Sequence, residues 1–221
     1  VSSSAAAGAD PLEMPIVREK EGFITFRAGN THITFMQSES HEAPLYHFAL
    51  RTDLAFYDYM FSKMTDHKVN LLPDSEGNLS GYWKGKQVYF TDPDGNIVEI
   101  LERDVKGMDK PGWFDVCEIG YPCENVEDMS EFLSPIHDLN KSESNTFRFY
   151  GDEFGTFVLV KEGRSWYPTN RTATIHPLVV EVEGKEYQVL NHPSLPYTVK
   201  VKIPWSSELP VVQMRIARQT D

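Results

Sequence analysis

Cysteine is nearly absent: Cys117 and Cys123 are the only two in 221 residues. Two cysteines cannot build a disulfide framework for a chain of this size, and no second pair completes a zinc site. A reducing, cytoplasmic setting is therefore expected. No apolar run approaches the roughly 20 residues of a membrane span, and the first residues lack the basic-then-apolar order of a signal peptide. Basic clusters are missing as well. With a net charge of -12 and no patch of Lys and Arg to neutralise phosphates, nucleic acid and anionic membrane surfaces are excluded as partners. The apolar share of 40% and aromatic share of 12% are those of a folded chain rather than a disordered one. The sequence starts at Val1 without a Met, and further residues are expected before it.

Against this background one stretch is distinctive, Val88 to Ile100, reading VYFTDPDGNIVEI. Val88 and Phe90 mark a strand. Asp92-Pro93-Asp94-Gly95-Asn96 then combines a proline-set φ with a residue free to take φ > 0, which reverses the chain. Ile97 to Leu101 forms the return strand. Within it Ile97, Glu99 and Leu101 share one face, so Glu99 either meets water at a sheet edge or points into a cavity where a positive group offsets its desolvation. A metal ion is the usual positive group.

Upstream, in Pro44 to Arg51, the bulky apolar Tyr46, Phe48 and Leu50 alternate with His47, Ala49 and Arg51. If the apolar face packs under the helix that follows, His47 turns to the opposite, concave side of the sheet. A His and a Glu lining one concavity supply two-thirds of a 2-His-1-carboxylate facial triad. A hydrogen-bonded structural histidine is the alternative.

The chain also repeats. After the His47 strand, Leu54 to Asp66 carries Leu54, Tyr57, Phe61 and Met64 at helical spacing. Strands follow at Val69 to Leu72, around Tyr82-Trp83-Lys84, at Gln87 to Thr91 and at Ile97 to Leu101. An earlier unit shows only the tail of this order, at Pro15 to Arg18, Phe23 to Arg27 and Gly29 to Phe35, so its first strand would lie before Val1. A third unit runs from Trp113 to Tyr121 through a helix Val126 to Ile136 to strands Thr146 to Tyr150 and Gly155 to Lys161. A fourth starts at Ala173 to Val180 and closes with Pro210 to Ala217. The Gly- and Pro-punctuated stretch Asp104 to Gly112 reads as a linker, which divides the chain into domains 1–104 and 112–221.

A repeated βαβββ unit with His47 in its first strand and Glu99 in its last resembles the vicinal oxygen chelate superfamily: glyoxalase I, fosfomycin-resistance enzymes, bleomycin-resistance proteins and extradiol ring-cleavage dioxygenases. The resemblance is strongest from Gly22 to Arg103, with FTDPDGNIVEI its most specific segment. It implies an α+β fold of tandem βαβββ units curled into half-open cups, with a metal inside. His47 and Glu99 would be metal ligands.

The extradiol dioxygenases, which split catechol-like rings with Fe(II), carry an acid–base His about fifteen residues before the strand His and a Tyr about ten before the carboxylate. His32 and Tyr89 stand at those positions. The resemblance therefore implies His32 as proton acceptor and donor, and Tyr89 as a hydrogen-bond partner of a metal-bound substrate oxygen. As packing residues, Tyr89 would be a cross-strand aromatic and His32 a surface strand residue. Three departures from the dioxygenase pattern stand beside these matches. The first metal His belongs on the opening strand missing from the first unit; Ser80 stands where many dioxygenases carry a further His; and in the fourth unit His176 matches His47 while Gln213 replaces Glu99. The C-terminal half is thus expected to be structural or dimer-forming. His41, His67, His137 and His192 fall in expected turns or helix ends and read as solvated.

Three functions remain open. The first is an Fe(II) extradiol dioxygenase acting on a small aromatic substrate. The second is a glyoxalase-type isomerase or thiol transferase with Zn, Ni or Mn, which needs neither His32 nor Tyr89. The third is a metal-free binder of the bleomycin-resistance type, holding a planar ligand by Phe35, Tyr82 and Trp83. A homo-oligomer is compatible with each.

Overall fold

A computed structural model describes residues 11–37, 43–105, 110–136, 144–152 and 154–203, together with the backbone of 212–218. His41, His137 and part of the expected linker lie outside the described residues. In chain order the elements are β1 (Ile16–Lys20), β2 (Phe23–Ala28), β3 (Thr31–Gln37), β4 (His47–Thr52), α1 (Leu54–Asp66), β5 (Leu71–Leu72), β6 (Gly81–Tyr82), β7 (Lys86–Thr91) and β8 (Ile97–Glu102). They continue with β9 (Trp113–Cys123), α2 (Val126–Leu133), β10 (Phe147–Gly151), β11 (Thr156–Lys161), β12 (Leu178–Glu183), β13 (Gln188–Asn191), β14 (Tyr197–Lys202) and β15 (Val212–Arg218). Among the described residues, no helix is long and apolar enough to cross a membrane.

The α+β class follows directly, with strands far outnumbering helices. The second unit is a complete βαβββ arrangement: β4 runs parallel to β8, and β7 and β5 add antiparallel beside it. The third is shorter, with β9 parallel to β11 and β10 antiparallel at the edge. Helix α2 stops at Leu133 rather than Ile136, because Pro135 has no N–H to continue the ladder.

The expected division at 104–112 does not separate the sheets. One eight-stranded sheet joins the second and third units through the antiparallel pair β4–β9, in the order β10-β11-β9-β4-β8-β7-β5, with β6 also pairing with β7. A seven-stranded sheet joins the first and fourth units in the order β1-β2-β3-β15-β12-β14-β13. Each sheet thus draws strands from both sides of that stretch.

The first unit's missing opening strand also has an occupant. β15 lies parallel to β3 and antiparallel to β12, as β4 lies parallel to β8 and antiparallel to β9. The C-terminal strand therefore fills the slot expected to lie before Val1. Gln213 pairs with His32 and Glu181, which aligns it with Ala49, between Glu99 and Glu118, and not with Glu99. His176 does not match His47 either. It precedes β12, with Nε2 2.7 Å from the Thr174 hydroxyl, since Pro177 removes the donor a strand would need there.

Local chemistry fixes the elements that carry the site. Asp53 caps α1 by accepting from Phe56 N at 2.9 Å, and α1 buries Tyr57, Met60 and Met64. Leu54, expected on that face, is half exposed. In the β7–β8 turn, Gly95 takes φ +84° and donates to Asp92 O at 3.0 Å. Asn96 donates to both Asp92 carboxylate oxygens, while its own Oδ1 accepts from Tyr46 N at 3.0 Å. This last bond pins the start of β4 to the start of β8. The main core, with Phe48, Leu50, Ile100, Tyr57, Met129, Ile33 and Val180, joins residues of both sheets and both helices. His47 and Glu99 alternate with Phe48, Val98 and Ile100, so they face the opposite side of their sheet.

Candidate active site

On that opposite side lies a cavity of about 250 Å³ lined by His47, Tyr89, Glu99 and Trp83, four of the residues singled out in the sequence. The volume is just below the roughly 300–1,000 Å³ of drug-sized ligand sites, so an occupant must be small. β4 and β8 place His47 opposite Ile97 and Ala49 opposite Glu99. The result is His47 Nε2 at 3.8 Å from Glu99 Oε2. His47 Nδ1 stands 3.1 Å from Ile97 O. A carbonyl can only accept, so Nδ1 carries the proton and Nε2 turns its lone pair to the cavity.

Burial sets the electrostatics. His47 and Glu99 are 6% and 4% exposed. Desolvation pushes the Glu99 carboxyl up to about 8, helped by the neighbouring Glu118 charge and opposed by the hydrogen bond from Tyr89 and by Arg103. Desolvation lowers His47 to about 4, against the backbone bond to Ile97. Between those values both groups are neutral, so their close approach is not a salt bridge in the metal-free protein. Tyr89, opposite Glu99 in the β7–β8 pair, has its hydroxyl pKa raised by burial and by Glu99.

Glu118 on β9 is a site residue that the sequence reading missed. It sits opposite Ala49, whose other neighbour is Glu99, and it lines the same cavity. The signal was present: Glu118 interrupts an apolar strand just as Glu99 does. Val158 on β11, the strand corresponding to β8, also lines the cavity and offers no donor.

The segment after β11 supplies a wall that no sequence pattern indicated. Trp166 lies against His47, ring centroids 4.9 Å apart, and Tyr167 meets Tyr89 edge-on at 5.3 Å. Phe149 packs on Trp83 at 5.7 Å. Gly120 makes room for Trp166, because a Cβ there would stand 2.7 Å from the indole.

Three predicted residues are not brought to this cavity. His32 belongs to β3 in the other sheet, opposite Arg27 and Gln213. β3 pairs with β2 and β15, so the acid–base place inferred from spacing is not beside His47. Phe35, on the same strand, packs edge-on against Phe26 at 6.1 Å. Tyr82 is 79% exposed because β6 is a two-residue edge strand.

The donor chemistry of His47 and Glu99 fits two positions on a divalent cation. One imidazole lone pair and one carboxylate oxygen face each other, and the second imidazole nitrogen is engaged by a backbone carbonyl, as in metal-bound histidines. Among the described residues, no three His, Cys, Asp or Glu side chains are gathered closely enough to hold a metal together.

No protein-family model and no curated protein matches the sequence. Among solved structures, a Bacillus subtilis protein described as a "putative dioxygenase" superposes with a TM-score of 0.59 at 14% identity, covering 87% of this chain and 78% of that one. A glyoxalase I variant from Zea mays superposes with a TM-score of 0.51 at 12% identity, covering 87% of this chain and 84% of its own. At such identities the likeness is one of fold. The paired units, the shared sheet through β4 and β9 and these superpositions agree: the chain has the vicinal oxygen chelate fold.

Proposed function

We propose that the cavity is the active site of a metal-dependent enzyme acting on a small planar aromatic substrate, with ring-cleaving dioxygenase chemistry as the first reading. The observation that carries it is the His47–Glu99 pair, 3.8 Å apart, inside a cavity walled by aromatic rings. His47 and Glu99 would hold the cation, with Glu118 lining the same cavity from the neighbouring strand. The bound cation would supply Lewis-acid activation of a substrate oxygen. Tyr89 orients Glu99 through its hydroxyl, while Ile97 O fixes the His47 ring. Trp83, Phe149, Trp166 and Tyr167 sandwich the substrate ring and keep water out. His32 takes no part.

A second reading, a metal-free binder of planar aromatic ligands, is favoured by the lack of a three-donor cluster among the described residues. One experiment separates these. Elemental analysis of anaerobically purified protein is expected to give about one metal per chain, lost without loss of fold on Glu99→Ala. Iron together with oxygen uptake on catechol supports the dioxygenase. Zinc, nickel or manganese without oxygen uptake indicates a glyoxalase-type reaction, and a metal-free protein leaves the binder.

A further inference from the structure

The backbone ladder between β4 and β8 stops just before His47. Its end bond runs from Ile97 N to Tyr46 O at 2.9 Å. In a regular parallel pair the next donor, Tyr46 N, would reach the carbonyl of residue 95. Here that carbonyl accepts from Arg171 instead, and Gly95, at φ +84°, has already turned the chain out of the strand. A side chain takes the vacated place: Asn96 Oδ1 accepts from Tyr46 N at 3.0 Å.

The amide can face only one way. Asn96 N and Nδ2 donate to the two Asp92 carboxylate oxygens at 2.8 and 2.7 Å, and Asp92 N donates to Asn96 O at 3.1 Å. Turned over, the amide would set its NH2 against the Tyr46 N–H and its oxygen against a carboxylate. Asn96 and Tyr46 are 1% and 5% exposed, so losing the amide would leave a buried N–H unpaired, which is costly.

Each residue joined by this side-chain bond is followed at once by a group of the site. Tyr46 precedes His47, and Asn96 precedes Ile97, whose carbonyl stands 3.1 Å from His47 Nδ1. Two residues further along, Ala49 pairs with Glu99. A shift at this end of the pair therefore moves the imidazole against both its carbonyl and the Glu99 carboxylate, 3.8 Å from Nε2. We infer that Asn96, oriented by Asp92, is a positioning residue whose amide sets the His47 ring against Ile97 O and so aims Nε2 at Glu99. The inference rests on the His47–Glu99 pair being the site proposed above.

Nitrogen-15 NMR of the His47 imidazole in chelator-treated protein tests it without the metal. The wild type is expected to show one neutral tautomer, protonated at Nδ1. Asn96→Ala should show a mixture with the Nε2-protonated form, and its affinity for a titrated divalent cation should fall about 10–100-fold, as when other partners that orient metal-bound side chains are removed. Asn96→Asp sets one carboxylate against another and should do the same. Exchanging the pair, Asp92→Asn with Asn96→Asp, reverses donor and acceptor between the two side chains and keeps every bond; it should restore the single tautomer and the affinity. Asp53→Ala, which loosens the α1 start at the other end of β4, lowers stability and should change neither. Should Asn96→Ala not fold, Asp92→Ala, which leaves the amide in place but frees it to turn, carries the same expectation in smaller measure. A single Nδ1 tautomer in the Asn96 or Asp92 variants, a mixture of equal size in Asp53→Ala, or no rescue by the exchanged pair overturns the inference. Metal content decides the other proposal separately: a wild type that binds no metal removes the metal reading and leaves this one to the tautomer, and a metal-binding wild type whose tautomer survives Asn96→Ala removes this one alone.

Discussion

Glu99→Gln should make the metal-free protein more stable in alkali while leaving it unchanged in acid. In the folded chain the Glu99 carboxyl keeps its proton up to about pH 8, whereas the unfolded chain releases it near 4.5. Below 4.5 the group is protonated in both states and contributes no pH dependence. As the pH rises through the window from 4.5 to 8, unfolding becomes progressively easier by about 1.4 kcal/mol per unit, and the loss levels off above 8 at ~5 kcal/mol. Glutamine resembles the protonated carboxyl in shape and cannot ionise. His47, with its pKa lowered to about 4, acts in the opposite direction, taking stability away as the pH falls from 6.5, but it is present in both proteins. Urea unfolding of both proteins from pH 4.5 to 9 in chelator should therefore give curves that coincide at the acid end and part by several kcal/mol at the alkaline end. A saturating divalent cation should then stabilise the wild type and not the variant, because only the wild type retains both donors. Parallel curves in chelator would refute the burial and isolation of Glu99 on which the site rests.

Gly120→Ala places a methyl 2.7 Å from the Trp166 indole and 3.1 Å from His47 O; overpacking of this kind costs about 1–3 kcal/mol. A lowered thermal midpoint together with weakened aromatic-ligand binding is expected, and an unchanged midpoint would mean that Trp166 does not rest on β9. Asp53→Ala removes the cap on Phe56 N and the bond from Gly112 N, at 2.9 and 3.0 Å. A loss of about 1–2 kcal/mol in denaturant unfolding is expected, and no measurable change would show that the α1 start is held by other means.

Much of the second unit was legible because its signals are local. Asp92 to Asn96 has turn chemistry that needs no distant partner, and the alternation around His47 and Glu99 is a property of each strand alone. Period-two patterning put both side chains on the face away from Phe48 and Ile100, and helical spacing located α1 to the residue. Which units join to build the cup is a different kind of fact. It depends on strand pairing between segments far apart in sequence, and spacing within a unit carries no record of it. His32 matched its spacing and still went to the other sheet, because β3 pairs with β2 and β15. Glu118 and Trp166 became site residues because β9 pairs with β4 and the segment after β11 folds back over His47. By itself the sequence determined the βαβββ unit, the His47–Glu99 pair and the turn that aligns them, since each follows from neighbours in the chain. The tertiary structure alone decided the partner of that unit and the C-terminal strand in the first unit's empty slot, because these depend on long-range pairing.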